Sequence, residues 1–173
     1  VARPAAVDIG SLDAEQLANA QTIVAVGRAL GVPSKGWVIA LSTALQESTL
    51  RNLPYGDRDS IGLFQQRDAW GSRAERLDPA ASSEMFFTGG QGGQRGLLDI
   101  PDYLTLSVTR AAQAVQVSAF PDAYAKWEGL ALQLAGSPSI SSAACTSGTD
   151  GGEGSKVIEV ALTQLGVPYS WGG

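Results

Sequence analysis

Histidine is absent from the 173-residue sequence, and cysteine occurs once, at Cys145. These shortages exclude nucleophiles activated by histidine, zinc sites with histidine ligands, internal disulfide bonds and thiolate metal clusters. Without histidine, carboxylates must carry any acid–base chemistry. Cys145 lies in a Ser-, Ala- and Thr-rich stretch that we interpret as linker.

The sequence also lacks basic runs and long apolar runs. Its net charge of −5 argues against nucleic acid or an anionic membrane as the main partner. No stretch approaches the roughly 20 apolar residues that span a bilayer. The first residues show neither a start methionine nor an apolar signal core, so they leave the question of export open. An apolar fraction of 44% predicts a soluble globular protein with a real core, which we expect to be a monomer.

The pattern of apolar residues is mainly helical. Helical spacing predicts helices at about 13–30, 34–50, 78–87, 109–116 and 121–134. Their expected caps or first residues are Asp13 (with Gln16), Ser34, Asp78, Thr109 and Pro121. Only residues 53–66 could form strands, and the glycine-rich run 89–93 is predicted to be a flexible break. The expected fold is therefore mainly α, with one small β-hairpin lobe that flanks a cleft.

Composition divides the chain into four parts. Residues 1–10 are predicted to be a flexible arm, and residues 11–136 the helical domain. Residues 137–154 are rich in Ser, Gly and Thr and are predicted to be a linker. Residues 155–173 turn helical again before a Gly-Val-Pro-Tyr-Ser-Trp-Gly-Gly ending.

Glu47 is the residue of greatest chemical interest. The apolar stripe of the helix at 37–50 continues through Glu47, and the helix must end soon afterwards because of Pro54. Burial and the negative end of the helix dipole both disfavour a charged carboxylate, so both should raise the pKa of Glu47. A general acid that works near neutral pH needs such an environment. The alternative is a solvated glutamate at a frayed helix end.

Three segments follow one another in a familiar order. They are Glu47-Ser48 at the helix end, Gly56-Asp57-Arg58, and Gly62-Leu63-Phe64-Gln65. This order and spacing resembles the lysozyme-like peptidoglycan glycosidases, and more narrowly the goose-type lysozymes and soluble lytic transglycosylases, over residues 12 to 135. The resemblance implies a lysozyme-like fold that cleaves the bond between N-acetylmuramic acid and N-acetylglucosamine, with Glu47 as the catalytic acid and without a metal or cofactor.

A second carboxylate would distinguish the two reactions. An inverting hydrolase needs a base about 6.5 to 9.5 Å from the acid. Asp57 is the first candidate because it matches the Asp of the goose-type Gly-Asp-Arg segment; its alternative role is to form a turn. Asp59 and Asp68 are weaker candidates. A lytic transglycosylase needs no such base, since the muramoyl hydroxymethyl oxygen attacks internally and Glu47 acts first as acid and then as base.

The resemblance also implies a set of substrate-binding residues. They are Ser60, Gly62, Phe64, Gln65, Gln66 and Tyr124. Gln65 would bond sugar amide or hydroxyl groups, Gly62 would let the backbone approach the ligand, and Phe64 could equally be a core residue. Tyr124 would close the far side of the cleft or pack on a helix, and its surroundings depart from the Tyr-Asn-Ala-Gly of soluble transglycosylases.

The ending at 166–173 resembles the opening of NlpC-type cysteine endopeptidases, where a similar motif precedes the nucleophilic cysteine. We therefore expect residues 155–173 to be the truncated start of such a domain. Similar actinobacterial wall enzymes pair a glycan-cutting with a peptide-cutting domain, so the resemblance implies a secreted or wall-associated protein of a Gram-positive envelope with peptidoglycan glycan strands as partner. Two other interpretations stay open: a non-catalytic glycan-binding or scaffolding module of lysozyme-like shape, and a helical interaction domain.

Overall fold

The computed structural model describes residues 9–117 and 121–141, and this part of the chain is mainly helical. Its α-helices are α1 (Ala14–Ala29), α2 (Ser34–Ser48), α3 (Arg73–Arg76), α4 (Pro79–Thr88), α5 (Val108–Gln116), α6 (Glu128–Gly136) and α7 (Pro138–Ser141). Short 3-10 helices lie at Ile9–Ser11, Asp68–Trp70, Leu97–Asp99 and Pro121–Trp127. Within the described ranges, no helix combines the length and apolar character that crossing a membrane requires.

Two predicted helix starts are confirmed in atomic detail. At α1, the Gln16 N–H donates to Asp13 Oδ1 at 3.0 Å, and the Asp13 N–H donates to Gln16 Oε1 at 2.9 Å. At α4, Asp78 Oδ1 accepts from the N–H groups of Ala80 and Ala81. In both helices a side chain bonds N–H groups that have no partner within the helix.

Two predicted caps are wrong by one or two residues. Ser34 lies inside α2, whose cap is Pro33 without a side-chain hydrogen bond. Thr109 lies inside α5, because Ser107 takes the cap position and its Oγ accepts from Arg110 N–H at 3.2 Å. For α5, Ser107 and Thr109 are both good cap residues, so residue preference alone did not decide between them.

Helix α2 runs through the centre of the domain and packs against α1, α5, α6 and the 3-10 helix Pro121–Trp127. The predicted amphipathic stripe understates its burial, since every residue from Gly36 to Leu45 is buried. Among its buried polar side chains, Thr43 Oγ1 donates to the Ile39 carbonyl at 2.7 Å. Past this buried stretch, Gln46 and Glu47 near the carboxyl end of the helix are partly exposed. A central helix is covered by neighbours on all sides, which sequence periodicity does not reveal.

The predicted β-hairpin at residues 53–66 is not present as strands. The segment contains one isolated antiparallel bridge, between Ile61 and Gln66, and otherwise consists of turns. Left-handed backbone at Gly62 (φ +82°) and Gln65 (φ +48°) interrupts any extended run. The Gly62 N–H bonds the Leu53 carbonyl at 2.7 Å. The residues therefore form a compact loop, which we call the 53–66 loop.

The glycine-rich run 89–93 was predicted to be a flexible break, but it is packed against the 3-10 helix Asp68–Trp70. The N–H groups of Gln91 and Gly92 donate to the carbonyls of Trp70 and Ala69 at 2.9 and 2.8 Å. A Cβ added at Gly90 would lie 3.0 Å from Trp70 atoms. Glycine here permits close backbone approach.

The helical body continues past the predicted boundary at residue 136. Helix α7 follows directly, and its Ile140 is 1% exposed in the core beside α1 and α6. At the other end, Ile9 packs against the core although we assigned residues 1–10 to a flexible arm. The remainder of the arm, the rest of the linker with Cys145, and the NlpC-like segment 155–173 lie outside the described residues.

Candidate active site

The chain leaves α2 through an unusual turn, immediately after Glu47-Ser48. Thr49 and Leu50 both adopt left-handed backbone (φ +55° and +61°), which is costly for residues with a Cβ. Two side chains of α1 hold this turn: Gln16 Nε2 donates to the Thr49 carbonyl at 2.9 Å, and Asn19 Nδ2 donates to the Leu50 carbonyl at 2.7 Å. These bonds fix the end of the helix that carries Glu47.

The Glu47 side chain lies half-buried at this end of α2. Burial raises the pKa of its carboxyl, and a hydrogen bond from the Tyr124 hydroxyl lowers the pKa by a smaller amount. That bond is 3.0 Å long, and Tyr124 itself is fully buried. The raised pKa agrees with the sequence prediction. A carboxyl in this state holds its proton closer to neutral pH while it keeps access to solvent.

A second contact binds the same two elements together. The indole N–H of Trp127 donates to Gln46 Oε1 at 2.9 Å, one residue before Glu47. Tyr124 and Trp127 are three residues apart in a 3-10 helix, so they lie on the same side of it and both face the end of α2. No sequence signal singled out Gln46 or Trp127, because a tryptophan at helical spacing predicts only core packing.

The 53–66 loop docks beside Glu47 through its backbone. The Ser48 hydroxyl donates to the Leu63 carbonyl at 2.8 Å, and Gln116 Nε2 of α5 donates to the Phe64 carbonyl at 2.9 Å. The loop is thereby held from both sides, by α2 and by α5. The Glu-Ser and Gly-Leu-Phe-Gln segments, which follow one another in the sequence, therefore lie next to each other in the fold.

Four predicted substrate-binding residues are buried and hold the loop instead of lining an open cleft. Phe64 is 1% exposed and stacks on Phe86, with ring centroids 4.7 Å apart. Gln66 is 1% exposed, and its Nε2 donates to the Ser82 carbonyl at 3.0 Å. Ser60 is also buried, and its N–H donates to the Asp57 carbonyl.

The fourth, Gly62, is required by its neighbour. A Cβ at this position would overlap the carbonyl oxygen of Arg76. The predicted reason for this glycine was approach of a ligand to the backbone, and the observed reason is contact with Arg76. That arginine is itself buried and donates to the carbonyls of Gly71, Asp59 and Gln66. No sequence signal indicated such a role for Arg76.

Gln65 is partly buried and braces the loop. Its Nε2 lies 3.2 Å from the Tyr55 carbonyl and 3.1 Å from the Gly62 carbonyl. Its Oε1 passes over Gly56, where an added Cβ would overlap it. In this structure the Gln65 amide N–H groups bond the loop's own carbonyls, so a sugar would have to compete for them.

The candidate bases differ in how they are held. Asp57 is exposed, and its carbonyl accepts from Ser60 N–H at 3.0 Å, which is turn geometry. Asp59 accepts from the Asp68 N–H at 2.7 Å and pairs with Arg67, and the Asp68 bond in particular holds its pKa well below the usual range. Asp68 is exposed and begins a 3-10 helix. A carboxylate with a strongly lowered pKa is a weak base, which disfavours Asp59.

The described residues contain no group of three or more potential metal ligands. A surface pocket of about 460 Å³ is lined by residues 98–105, and none of the predicted site residues belongs to its lining.

Comparison with protein-family models gives no match, and no curated protein matches the chain at a significant level.

Proposed function

We propose that this protein cleaves the β-1,4 bond between N-acetylmuramic acid and N-acetylglucosamine in peptidoglycan, with Glu47 as the general acid. The observation that carries the proposal is the half-buried Glu47 carboxyl, whose pKa is raised by burial and whose Oε1 bonds the Tyr124 hydroxyl at 3.0 Å. Glycosidic cleavage needs a carboxylic acid that is still protonated near neutral pH and can reach the leaving oxygen.

The surroundings of Glu47 suit this role. The Ser48 hydroxyl, Tyr124 and the fixed turn at Thr49-Leu50 restrict the position of the carboxyl without removing it from solvent. A general acid that is held in place contributes more than one that must be ordered during the reaction. Tyr124 also offers a hydrogen-bond donor to the carboxylate that remains after proton transfer.

Between the two reaction types, we favour lytic transglycosylation. Asp59 forms an ion pair with Arg67 and accepts a hydrogen bond from the Asp68 N–H, and Asp57 lies in an exposed turn. Asp57 remains the candidate base if the enzyme is a hydrolase. In the transglycosylase, Glu47 protonates the leaving oxygen and its carboxylate then accepts the proton of the attacking hydroxymethyl group.

In this proposal the fold is lysozyme-like, and the 53–66 loop takes the position of the hairpin lobe beside the cleft. The protein would act as a monomer, without metal or cofactor, on glycan strands of a Gram-positive, actinobacterial wall to which it is secreted. Residues 155–173 would begin an NlpC-type domain. A non-catalytic glycan-binding module is the alternative that the same contacts allow.

The test is mass spectrometry of purified peptidoglycan after incubation with the wild-type chain and with Glu47→Gln, which keeps the side-chain shape but cannot donate the acid's proton. Anhydromuropeptides from the wild type alone would establish a lytic transglycosylase. Reducing-end muropeptides from the wild type alone would establish a hydrolase. We expect activity to fall at least about 100-fold in Glu47→Gln. Equal products from both proteins, or none from either when folding is verified, would contradict the proposal.

A further inference from the structure

Tyr55 is the one aromatic residue of the described chain whose side chain is mostly exposed to solvent. Its side chain is 67% exposed. Trp37, Phe64, Trp70, Phe86, Phe87 and Tyr124 are buried, and Tyr103 and Trp127 are half-buried. An exposed tyrosine presents an apolar ring face together with a polar hydroxyl, a combination that is enriched at binding surfaces.

The backbone that carries Tyr55 is held at three successive carbonyls. The Leu53 carbonyl accepts from Gly62 N–H at 2.7 Å, the Pro54 carbonyl from Arg73 Nη2 at 3.3 Å, and the Tyr55 carbonyl from Gln65 Nε2 at 3.2 Å. Two of the donors, Gly62 and Gln65, belong to the 53–66 loop itself, and the third, Arg73, belongs to α3. The exposed ring is therefore mounted on a braced turn, so less backbone freedom is lost when a ligand binds.

The next residue fits this arrangement. A Cβ at Gly56 would overlap Gln65 Oε1 and would lie 2.6 Å from the Ser60 carbonyl oxygen. Glycine is therefore needed for the Gln65 side chain to cross under Tyr55 and bond its carbonyl. The sequence Tyr55-Gly56 and the distant Gln65 act together to fix the position of one exposed ring.

The same loop is attached to the end of α2 beside Glu47. Ser48, the neighbour of Glu47, bonds the Leu63 carbonyl, and Gln65, two residues further on, bonds the Tyr55 carbonyl. Two hydrogen bonds and a three-residue segment thus connect the candidate acid to the exposed ring. The loop that presents Tyr55 is therefore docked on the helix end that carries Glu47.

We propose that Tyr55 is a substrate-binding residue whose ring stacks on the apolar face of an N-acetylhexosamine unit of the glycan strand, at a subsite next to the bond that Glu47 cleaves. This inference rests on the proposed function and adds a subsite to it. A pyranose ring carries axial C–H groups on one face, which form an apolar surface that an aromatic ring covers, while its equatorial hydroxyl and acetamido groups stay in water.

The test measures binding of a soluble peptidoglycan tetrasaccharide to the full 173-residue chain in the Glu47→Gln background, by isothermal titration calorimetry. Adding Tyr55→Ala should raise the Kd by about tenfold, the size expected for loss of one aromatic contact. Adding Tyr55→Phe should keep the Kd within about twofold of the parent, because the ring face remains. Leu132→Ala, which removes a 55%-exposed apolar side chain from α6, is the matched control and should leave the Kd unchanged.

Three outcomes would overturn the inference: an unchanged Kd in Tyr55→Ala, an equal loss in Tyr55→Phe, or no binding by the Glu47→Gln parent. The proposed function is decided separately, by whether the wild type cleaves peptidoglycan and Glu47→Gln does not. In the active protein, Tyr55→Ala should raise KM with kcat within about twofold of wild type, since the ring binds the substrate and does not touch the reacting atoms. Because Tyr55 is exposed, we expect its replacement to leave the thermal unfolding midpoint unchanged.

Discussion

The hydroxyl of Tyr124 donates a 3.0 Å hydrogen bond to the carboxylate of Glu47, which is 77 positions earlier in the chain. Burial and this hydrogen bond shift the pKa of the Glu47 carboxyl in opposite directions. Burial at the end of α2 raises the pKa of Glu47, and the donor on the 3-10 helix Pro121–Trp127 lowers it by less. The net shift is upward, which is the direction that a general acid requires.

Tyr124→Phe should move the alkaline limb of the activity profile to higher pH. The substitution removes the donor that stabilises the charged carboxylate, so the pKa of Glu47 rises further, and a general acid stays protonated to higher pH. The measurement is kcat/KM for glycan cleavage as a function of pH, with circular dichroism as the check on folding. An unchanged alkaline limb in a folded variant would show that the Tyr124 bond does not control Glu47.

Glu47→Gln should stabilise the fold at neutral pH and have little effect in acid. The folded-state pKa of Glu47 lies above its ordinary value of 4.5, so the folded protein binds the proton more tightly than the unfolded chain. Stability from this group is therefore complete below that value and is lost as pH rises through the folded-state pKa. Glutamine has no proton to lose.

Urea denaturation of both proteins at about pH 3.5 and about pH 7 measures this difference. Carboxylates with lowered pKa values, such as Asp13 and Glu75, titrate in both proteins and cancel in the comparison. A stability difference that is the same at both pH values would contradict the raised pKa.

Gly62→Ala should destabilise the protein by about 2 to 4 kcal/mol, since the new methyl group meets the Arg76 carbonyl and the backbone stays left-handed. Gly93→Ala is the matched control: Gly93 has φ +91°, but an added Cβ would have no neighbour within 4 Å. It should cost about 1 kcal/mol for backbone strain alone. Equal losses in the two variants would remove the contact with Arg76 from the explanation.

Phe64 should behave as a core residue. Phe64→Ala should cost about 3 to 5 kcal/mol, and Phe64→Leu about 1 kcal/mol through loss of the stack on Phe86. The measurement combines denaturant unfolding with KM for Phe64→Leu. A large rise in KM with unchanged stability would instead support the sugar-binding role that the motif suggested.

Much of the fold follows from local signals. The capping box at Asp13 and the Asp78-Pro79 start are confirmed, because a cap bonds N–H groups within the next three residues and needs no distant partner. The exit of α2 could not be predicted in this way. Its two left-handed residues are held by Gln16 and Asn19 of α1, more than thirty positions away.

The glycines show the same limit. Gly62 and the run 89–93 could be recognised in the sequence, but the sequence does not state what each one approaches. Only the folded structure shows that Gly62 lies against Arg76 and that Gly90 lies against Trp70. The predicted hairpin at residues 53–66 is also wrong, because hydrogen bonds to Ser48, Arg76 and Gln116 replace the ladder that two strands would share.

The sequence alone determined that the protein is mainly helical, that histidine chemistry and an internal disulfide are excluded from these 173 residues, and that a glutamate stands at the end of the second helix. These features depend on composition and on contacts between near neighbours. Tertiary structure alone decided that Tyr124 and Trp127 face Glu47 and Gln46, that Phe64 and Gln66 are interior residues, and that Tyr55 is exposed. Those features depend on which distant side chains share one volume, and the burial that shifts the pKa of Glu47 exists only when they do.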